Sequence, residues 1–335
     1  MRYQAEKCLN TKQTYAYPCR MCLEICPHGA MTGHYEISEE RCTECGLCVA
    51  VCPSGGMADP LARAFEQYLF SERTERLISC PQAAEPGDME IPCLGILDRD
   101  SWSVLILLAQ EQPVRLVTGD CRHCPDLPAC AASVRVFQEL HRDWPGHATV
   151  QIVVKPVEQE TGESADGTPE AVRKKNGWSV LQKHGWNILK KAMKKPEEVE
   201  PATPYKQSRQ WLLRMLADRP QAKVPFRALT ATEQCTACGV CVSVCPQAAL
   251  SEQVEGGTHL LILEPGKCVQ CGRCQQVCRA AALDFTVKNL SERLLNGKVL
   301  IHEGQVRSCV RCGRYVYNDS DPALCVICAS ARVSE

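Results

Sequence analysis

The sequence has no apolar stretch long enough to cross a bilayer. Its apolar runs, such as Val104 to Ala109, fall far short of the roughly 20 residues a membrane helix needs. Met1 to Pro18 has no apolar segment of the signal-peptide kind, so the expected location is cytoplasmic, where thiols stay reduced. An excess of charge of one sign is also missing. With 38 Lys and Arg against 39 Asp and Glu, the composition gives no reason to expect a nucleic-acid partner, and any electrostatic signal must be local. No Walker motif, no Gly-x-Gly-x-x-Gly after a strand, no His-Glu-x-x-His and no nucleophile elbow occurs, which leaves substrate chemistry without a recognisable home.

What the chain does have is cysteine: 25 in 335 residues. An odd number cannot be fully paired as intramolecular disulfides, and packing needs far fewer, so metal sites are the better explanation. Cysteine clusters and composition shifts divide the chain into a cysteine-rich block 1–56, a helix-and-strand region 57–154, a polar and basic linker 155–227, a second cysteine-rich block 228–290 that repeats the first, and a tail 291–335. Within 57–154, helical patterns over Leu61 to Phe70 and Ala131 to Trp144 and an amphipathic stretch, Ser101 to Gln110, alternate with apolar runs ending at Cys80, Thr118 and Val154. That alternation predicts a small α/β layer with parallel strands.

The second block is the most specific. Cys235-x2-Cys238-x2-Cys241-x3-Cys245-Pro246 is followed 22 residues later by Cys268-x2-Cys271-x2-Cys274-x3-Cys278. Two-residue gaps let one tight loop wrap three thiolates around a cubane, and the fourth cysteine points away to the other cluster. The expected ligand sets are therefore crossed: Cys235, Cys238, Cys241 and Cys278 for one 4Fe-4S cluster, and Cys268, Cys271, Cys274 and Cys245 for the other. Proline follows Cys245 and helps turn the chain away, whereas Arg279 takes that place after Cys278. Zinc shares the C-x2-C spacing, but a C-x2-C-x2-C-x3-C register fits a single tetrahedral ion poorly.

The first block has one complete motif, Cys42-x2-Cys45-x2-Cys48-x3-Cys52-Pro53, and one incomplete motif, Cys19-x2-Cys22-x3-Cys26-Pro27, whose expected first ligand falls on Ala16. Cys8, separated from Cys19 by ten residues, is the free cysteine near enough in sequence to replace it. The expected sets are Cys8, Cys19, Cys22 and Cys52, and Cys42, Cys45, Cys48 and Cys26. The alternative is a three-iron cluster with Cys8 as a spare buried thiol. The tail holds Cys309-x2-Cys312 and, twelve residues on, Cys325-x2-Cys328. Paired knuckles with no third C-x2 step suit one structural zinc ion, although a mononuclear iron or another cluster would use the same ligands. The fold class expected is α+β multidomain: two bacterial-type dicluster ferredoxin modules flanking a small α/β domain, with a zinc-ribbon-like tail.

Lys7-Cys8-Leu9, Pro18-Cys19-Arg20-Met21-Cys22, Ile91-Pro92-Cys93-Leu94-Gly95 and Gly119-Asp120-Cys121-Arg122-His123-Cys124 resemble blocks of the multi-cluster ferredoxin proteins associated with molybdopterin oxidoreductases such as formate dehydrogenase. The resemblance spans most of the chain outside 155–227. It implies single-electron transfer between a ferredoxin or other low-potential carrier and a larger redox enzyme, and it supports Cys8 as a ligand. The central region is similar to the iron-sulfur subunit that links hydrogenase to heterodisulfide reductase. The matching positions, Cys93, Cys121 and Cys124 with Cys130 as fourth, imply a fifth iron-sulfur site at the carboxyl ends of the strands. A mixture of buried and surface thiols is the alternative, and Cys80 an alternative fourth ligand.

Arg173 to Lys195 carries eight Lys and Arg and no acidic residue. At helical spacing Trp178, Leu181, Ile188, Leu189 and Met193 fall on one face and Lys183, Lys190, Lys191 and Lys194 on the other. Such a basic amphipathic helix suits an acidic partner or a peripheral site on an anionic membrane, or else covers the protein's own core. Two further functional classes stay open at this point: a redox enzyme built on the central cysteines, and a maturation or scaffold factor for an oxidoreductase.

Overall fold

The computed structural model describes residues 1–12, 17–145, 150–154, 205–305, 307–313, 315–316 and 322–330. The described residues all belong to one compact unit. The expected basic helix at 173–195 lies outside the described residues. Among the described residues, no helix is long and apolar enough to cross a membrane.

The chain opens with β1 (Arg2–Tyr3) and α1 (Leu9–Lys12), and the incomplete motif follows with α2 (Met21–Glu24). The complete motif carries α3 (Leu47–Val51) and runs into β2 (Met57–Ala58). β1 pairs antiparallel with β2, Tyr3 opposite Met57, and Gln4 N–H donates to Gly56 O at 2.8 Å. This short zipper brings the amino terminus back to the end of the first cysteine block.

In the central region, α4 (Ala62–Leu69), β3 (Arg76–Ser79), β4 (Met89–Glu90), α5 (Arg99–Ala109), β5 (Val114–Thr118), α6 (Leu127–Asp143) and β6 (Gln151–Val154) build the expected α/β layer. The sheet order is β4-β3-β5-β6, and every pair is parallel. Ile78, Val114, Leu116 and Val117 are buried, as strands covered on both faces require. The helix that the periodicity reads as amphipathic is instead buried almost throughout, from Asp100 to Leu108. Its outer face is covered by α7 (Gln207–Ala217), whose Trp211 lies edge-on to Phe65 with ring centroids 5.4 Å apart. The Trp211 to Leu216 stretch shares one buried core with Trp102 and Ile106 of the central layer and with Val224, Phe226, Leu290 and Leu295 of the second block.

The second block begins with β7 (Val224–Ala231), then α8 (Val240–Ser243), the hairpin β8 (Leu250–Glu255) and β9 (Thr258–Leu263), and α9 (Arg273–Val277). β10 (Leu283–Leu290) pairs antiparallel with β7. α10 (Glu292–Leu295) leads to β11 (Val299–Gln305), which extends the hairpin into a three-stranded sheet. The tail adds β12 (Arg307–Ser308), β13 (Tyr315–Val316) and α11 (Val326–Ser330).

Gly46 is where the first block meets the central layer. Its φ is +80°, and an added Cβ would lie 2.5 Å from Ile96 Cβ. Gly46→Ala combines left-handed strain of about 1–2 kcal/mol with overpacking of about 1–3 kcal/mol. We expect a loss of about 2–5 kcal/mol, read from the denaturant midpoint of the holoprotein. A midpoint equal to wild type would show that the two surfaces do not meet tightly there.

Candidate metal centres

The three complete motifs share one backbone course. Glu44, Ala237 and Gln270 have φ of 59°, 41° and 54°, and Gly46, Gly239 and Gly272 two positions later have 80°, 71° and 75°. A non-glycine residue at such a φ costs on the order of 1–3 kcal/mol and persists where its surroundings enforce it. Here the enforced result is a loop that turns three thiols inward. The incomplete motif lacks these turns: Arg20 has φ −125° before α2.

All four blocks end alike. Three residues past the fourth cysteine, Gly29, Gly55, Ala248 and Ala281 have φ of 54°, 72°, 48° and 49°. The next N–H then donates to the cysteine sulfur: Ala30 to Cys26 at 3.3 Å, Gly56 to Cys52 at 3.1 Å, Ala249 to Cys245 at 3.3 Å and Ala282 to Cys278 at 3.3 Å. The Arg279 block makes the same turn as the three proline blocks, so proline is not required for it. Backbone donors aimed at sulfur favour thiolate over thiol.

The thiols converge in the expected crossed groups. Cys8, Cys19, Cys22 and Cys52 line one cavity with Tyr3 and Tyr35. Gly56 lies against Cys8, so the β1–β2 zipper sets Cys8 beside the Cys52 turn. Asn10 clamps Cys19, its Nδ2 donating to Cys19 O and its Oδ1 accepting from Cys19 N–H, both at 2.8 Å. Cys245, Cys268, Cys271 and Cys274 line a second cavity. Cys235, Cys238, Cys241 and Cys278 line a third, bordered by Val316, Cys325 and Ile327 of the tail.

Burial and then the charges of sister thiols push Cys48, Cys241 and Cys274 up to about 12, and Cys22 up to about 11. The charges felt by Cys48 include those of Cys45, Cys42 and Cys26, which gathers the remaining expected set. At neutral pH such thiols keep their protons, and a bound cation would displace those protons and take the thiolates as ligands. Converging thiols with N–H donors to sulfur are the donor set an iron-sulfur cluster takes.

In the central layer the parallel strands end at the thiols. Cys80 follows β3, Cys93 follows β4, and Cys121 and Cys124 follow β5. Cys130, inside α6, meets Cys121 with sulfurs 3.6 Å apart. Its hydrogen bond with Cys93 raises the Cys130 thiol and lowers that of Cys93. Cys80 also faces Cys121 and Cys93, and its sulfur accepts N–H groups of Gly119 and Gln82. Five thiols, rather than the expected four, therefore share this end of the sheet.

The tail thiols are drawn tighter. The sulfurs of Cys309, Cys312, Cys325 and Cys328 all lie within 4.8 Å of one another. The N–H of Cys325 is the main group holding the Cys309 thiol down at about 6, and hydrogen bonds with Cys325 and Cys312 push Cys328 up to about 12.

Polar residues that carry no motif join these centres. Asp126 accepts from Thr43 Oγ1 at 2.6 Å and meets His28 Nε2 at 2.7 Å, tying the first block to the start of α6 between Cys45 and Cys124. His123, between Cys121 and Cys124 in sequence, is exposed and pairs with Asp120 at 2.9 Å. Burial is the main cause that raises Cys274, Cys19, Cys48 and Cys45, and the charges of Cys241, Cys271, Cys22 and Cys93 respectively add to it.

Compared with curated proteins, the chain has no significant match. The 4Fe-4S dicluster domain family matches at residues 17–56 and again at residues 234–282. Taken with the paired thiol groups in those two stretches, this means that the chain carries two 4Fe-4S dicluster ferredoxin domains, one on each side of the central parallel sheet.

Proposed function

We propose that this protein relays single electrons between a ferredoxin or other low-potential carrier and a larger redox enzyme of the molybdopterin oxidoreductase kind. Four 4Fe-4S clusters are held by Cys8, Cys19, Cys22 and Cys52; by Cys42, Cys45, Cys48 and Cys26; by Cys235, Cys238, Cys241 and Cys278; and by Cys268, Cys271, Cys274 and Cys245. When bound, such clusters supply one-electron redox chemistry within a range of roughly −700 to +450 mV. The protein's own contribution is burial of the sulfurs, the N–H donors from Ala30, Gly56, Ala249 and Ala282, and the spacing between groups. The observation that carries this reading is the presence in one chain of two 4Fe-4S dicluster domains whose thiols share cavities. A relay uses several centres, whereas a single-site enzyme does not need them.

The central thiols Cys93, Cys121, Cys124 and Cys130 hold a further iron-sulfur site, and Cys309, Cys312, Cys325 and Cys328 hold zinc. Support for zinc comes from the four tail sulfurs all lying within 4.8 Å of one another, which suits a single tetrahedral ion whose Zn–S bonds of about 2.3 Å put its sulfurs about 3.8 Å apart. The test is an anaerobic metal and sulfide count. We expect about sixteen iron atoms from the two ferredoxin domains, further iron from the central site, and zinc that remains after mild oxidation has destroyed the clusters. Iron below about half of sixteen would reject the reading.

A further inference from the structure

An electron that crosses the whole chain must pass from one ferredoxin domain to the other, and one contact is built for it. Arg273 lies between Cys271 and Cys274 in sequence and is 3% exposed. Its Nη2 donates to the carbonyl of Leu9, the neighbour of Cys8, at 3.3 Å and to Asn10 Oδ1 at 3.4 Å. The same Asn10 Oδ1 accepts from Cys19 N–H at 2.8 Å. Beside this bridge, Lys12 Nζ donates to Gln247 Oε1 at 2.8 Å, two residues past Cys245, so the domains touch on the faces that carry these two thiol groups.

We propose that Arg273 and Asn10 form the electron junction between the domains, positioning the Cys268/Cys271/Cys274/Cys245 group against the Cys8/Cys19/Cys22/Cys52 group and bridging them by a short bonded path. The inference rests on the ligand sets proposed above. From Cys271 the path runs along the backbone to Arg273, crosses one hydrogen bond to Leu9 O, and reaches Cys8 along the backbone. A second branch crosses Asn10 to Cys19. A buried guanidinium also supplies fixed positive charge beside both groups, which favours the electron-rich state on either side. Arg273 touches no substrate; it is a positioning residue acting through the thiol groups on either side.

The test compares Arg273→Gln, Arg273→Lys and Asn10→Ala in the full holoprotein. Iron content reports on the ligand sets; the rate at which a rapidly injected electron redistributes between the domains, followed by EPR, reports on the junction. We expect Arg273→Gln to keep wild-type iron while slowing redistribution about tenfold, a barrier change of about 1.4 kcal/mol. Arg273→Lys, which keeps the charge but not the two-pronged reach, should fall between Arg273→Gln and wild type. An iron-replete Arg273→Gln or Asn10→Ala protein with wild-type redistribution would overturn the proposal. Should Arg273→Gln lose iron, Asn10→Ala decides by the same rate. Iron loss in both would make the pair a structural clasp and equally overturn the inference. A wild-type protein low in iron would instead point to failure of the ligand sets.

Discussion

Arg209→Met is expected to destabilise the holoprotein by about 3–5 kcal/mol, the cost of breaking a buried ion pair, with Lys206 Nζ, 3.9 Å away, left as the remaining cation beside Asp100. Arg209 on α7 meets Asp100 on α5 in a two-pronged ion pair, Nε to Oδ2 at 2.8 Å and Nη2 to Oδ1 at 3.3 Å, with side chains 7% and 5% exposed. Its Nη1 donates to Gly266 O at 3.0 Å, two residues before Cys268, so one guanidinium ties the central core to a ferredoxin loop. Apparent unfolding midpoints give the measurement. The double variant Arg209→Met, Asp100→Leu should recover most of the loss, because a buried pair can be replaced by apolar groups at little cost. A single variant within about 1 kcal/mol of wild type would show that the pair does not hold the seam, well below the range for a broken buried pair.

The neighbouring pair adds a pH dependence with a definite sign. Burial alone would raise the Asp98 carboxyl, but Lys206, 2.6 Å away, and hydrogen bonds from Lys206, Ser208 and Ser101 N–H bring it below its ordinary value. Its stabilisation is fully present above the unfolded carboxylate value of about 4 and is lost as pH falls through the lower folded value. Acid should therefore open the α5–α7 seam only below about pH 4.

Cys8→Ser should remove one cluster, about four of about sixteen iron atoms, and its EPR signal, while the other three remain. Serine keeps the volume but is a poor ligand for iron in these clusters. The β1–β2 zipper and the Tyr3–Tyr35 stack, with centroids 4.8 Å apart, do not depend on the thiol, so the fold should persist. A loss of about one iron would indicate conversion to a three-iron cluster. Unchanged iron and EPR would leave Cys8 as a spare thiol and the group of Cys19, Cys22 and Cys52 as a three-iron site.

The thiol groups were legible because C-x2-C spacing is itself a geometric constraint, and a tight loop can present its three sulfurs in few ways. Cys8 could be reached by elimination. The pairing that delivers it could not, because a two-residue strand such as Arg2–Tyr3 leaves no periodicity to read. The parallel layer showed in alternating apolar runs, whereas the two-residue β4 is too short to show a period of its own. Helix α5 was misread as half-exposed because its cover, α7, comes from about a hundred positions further along, and periodicity senses only local alternation. Asn10, Asp126 and Arg273 carry no motif. Their roles arise from distances between segments remote in sequence, and residue type alone does not signal them.

The burial of Trp211, Leu212, Met215 and Leu216 in the same core as Trp102, Ile106 and Leu116 has a consequence during synthesis. A ribosome that has just completed β6 has made the whole parallel sheet and the first ferredoxin domain, but not the helix that covers α5. The 52 residues between Val154 and Gln207 take about 3–10 s to translate at about 5–20 residues per second. Throughout that interval the nascent chain presents an uncovered apolar helix beside thiols that are already in place. Free cysteines and a seam open to aggregation thus coexist on the ribosome until α7 is made.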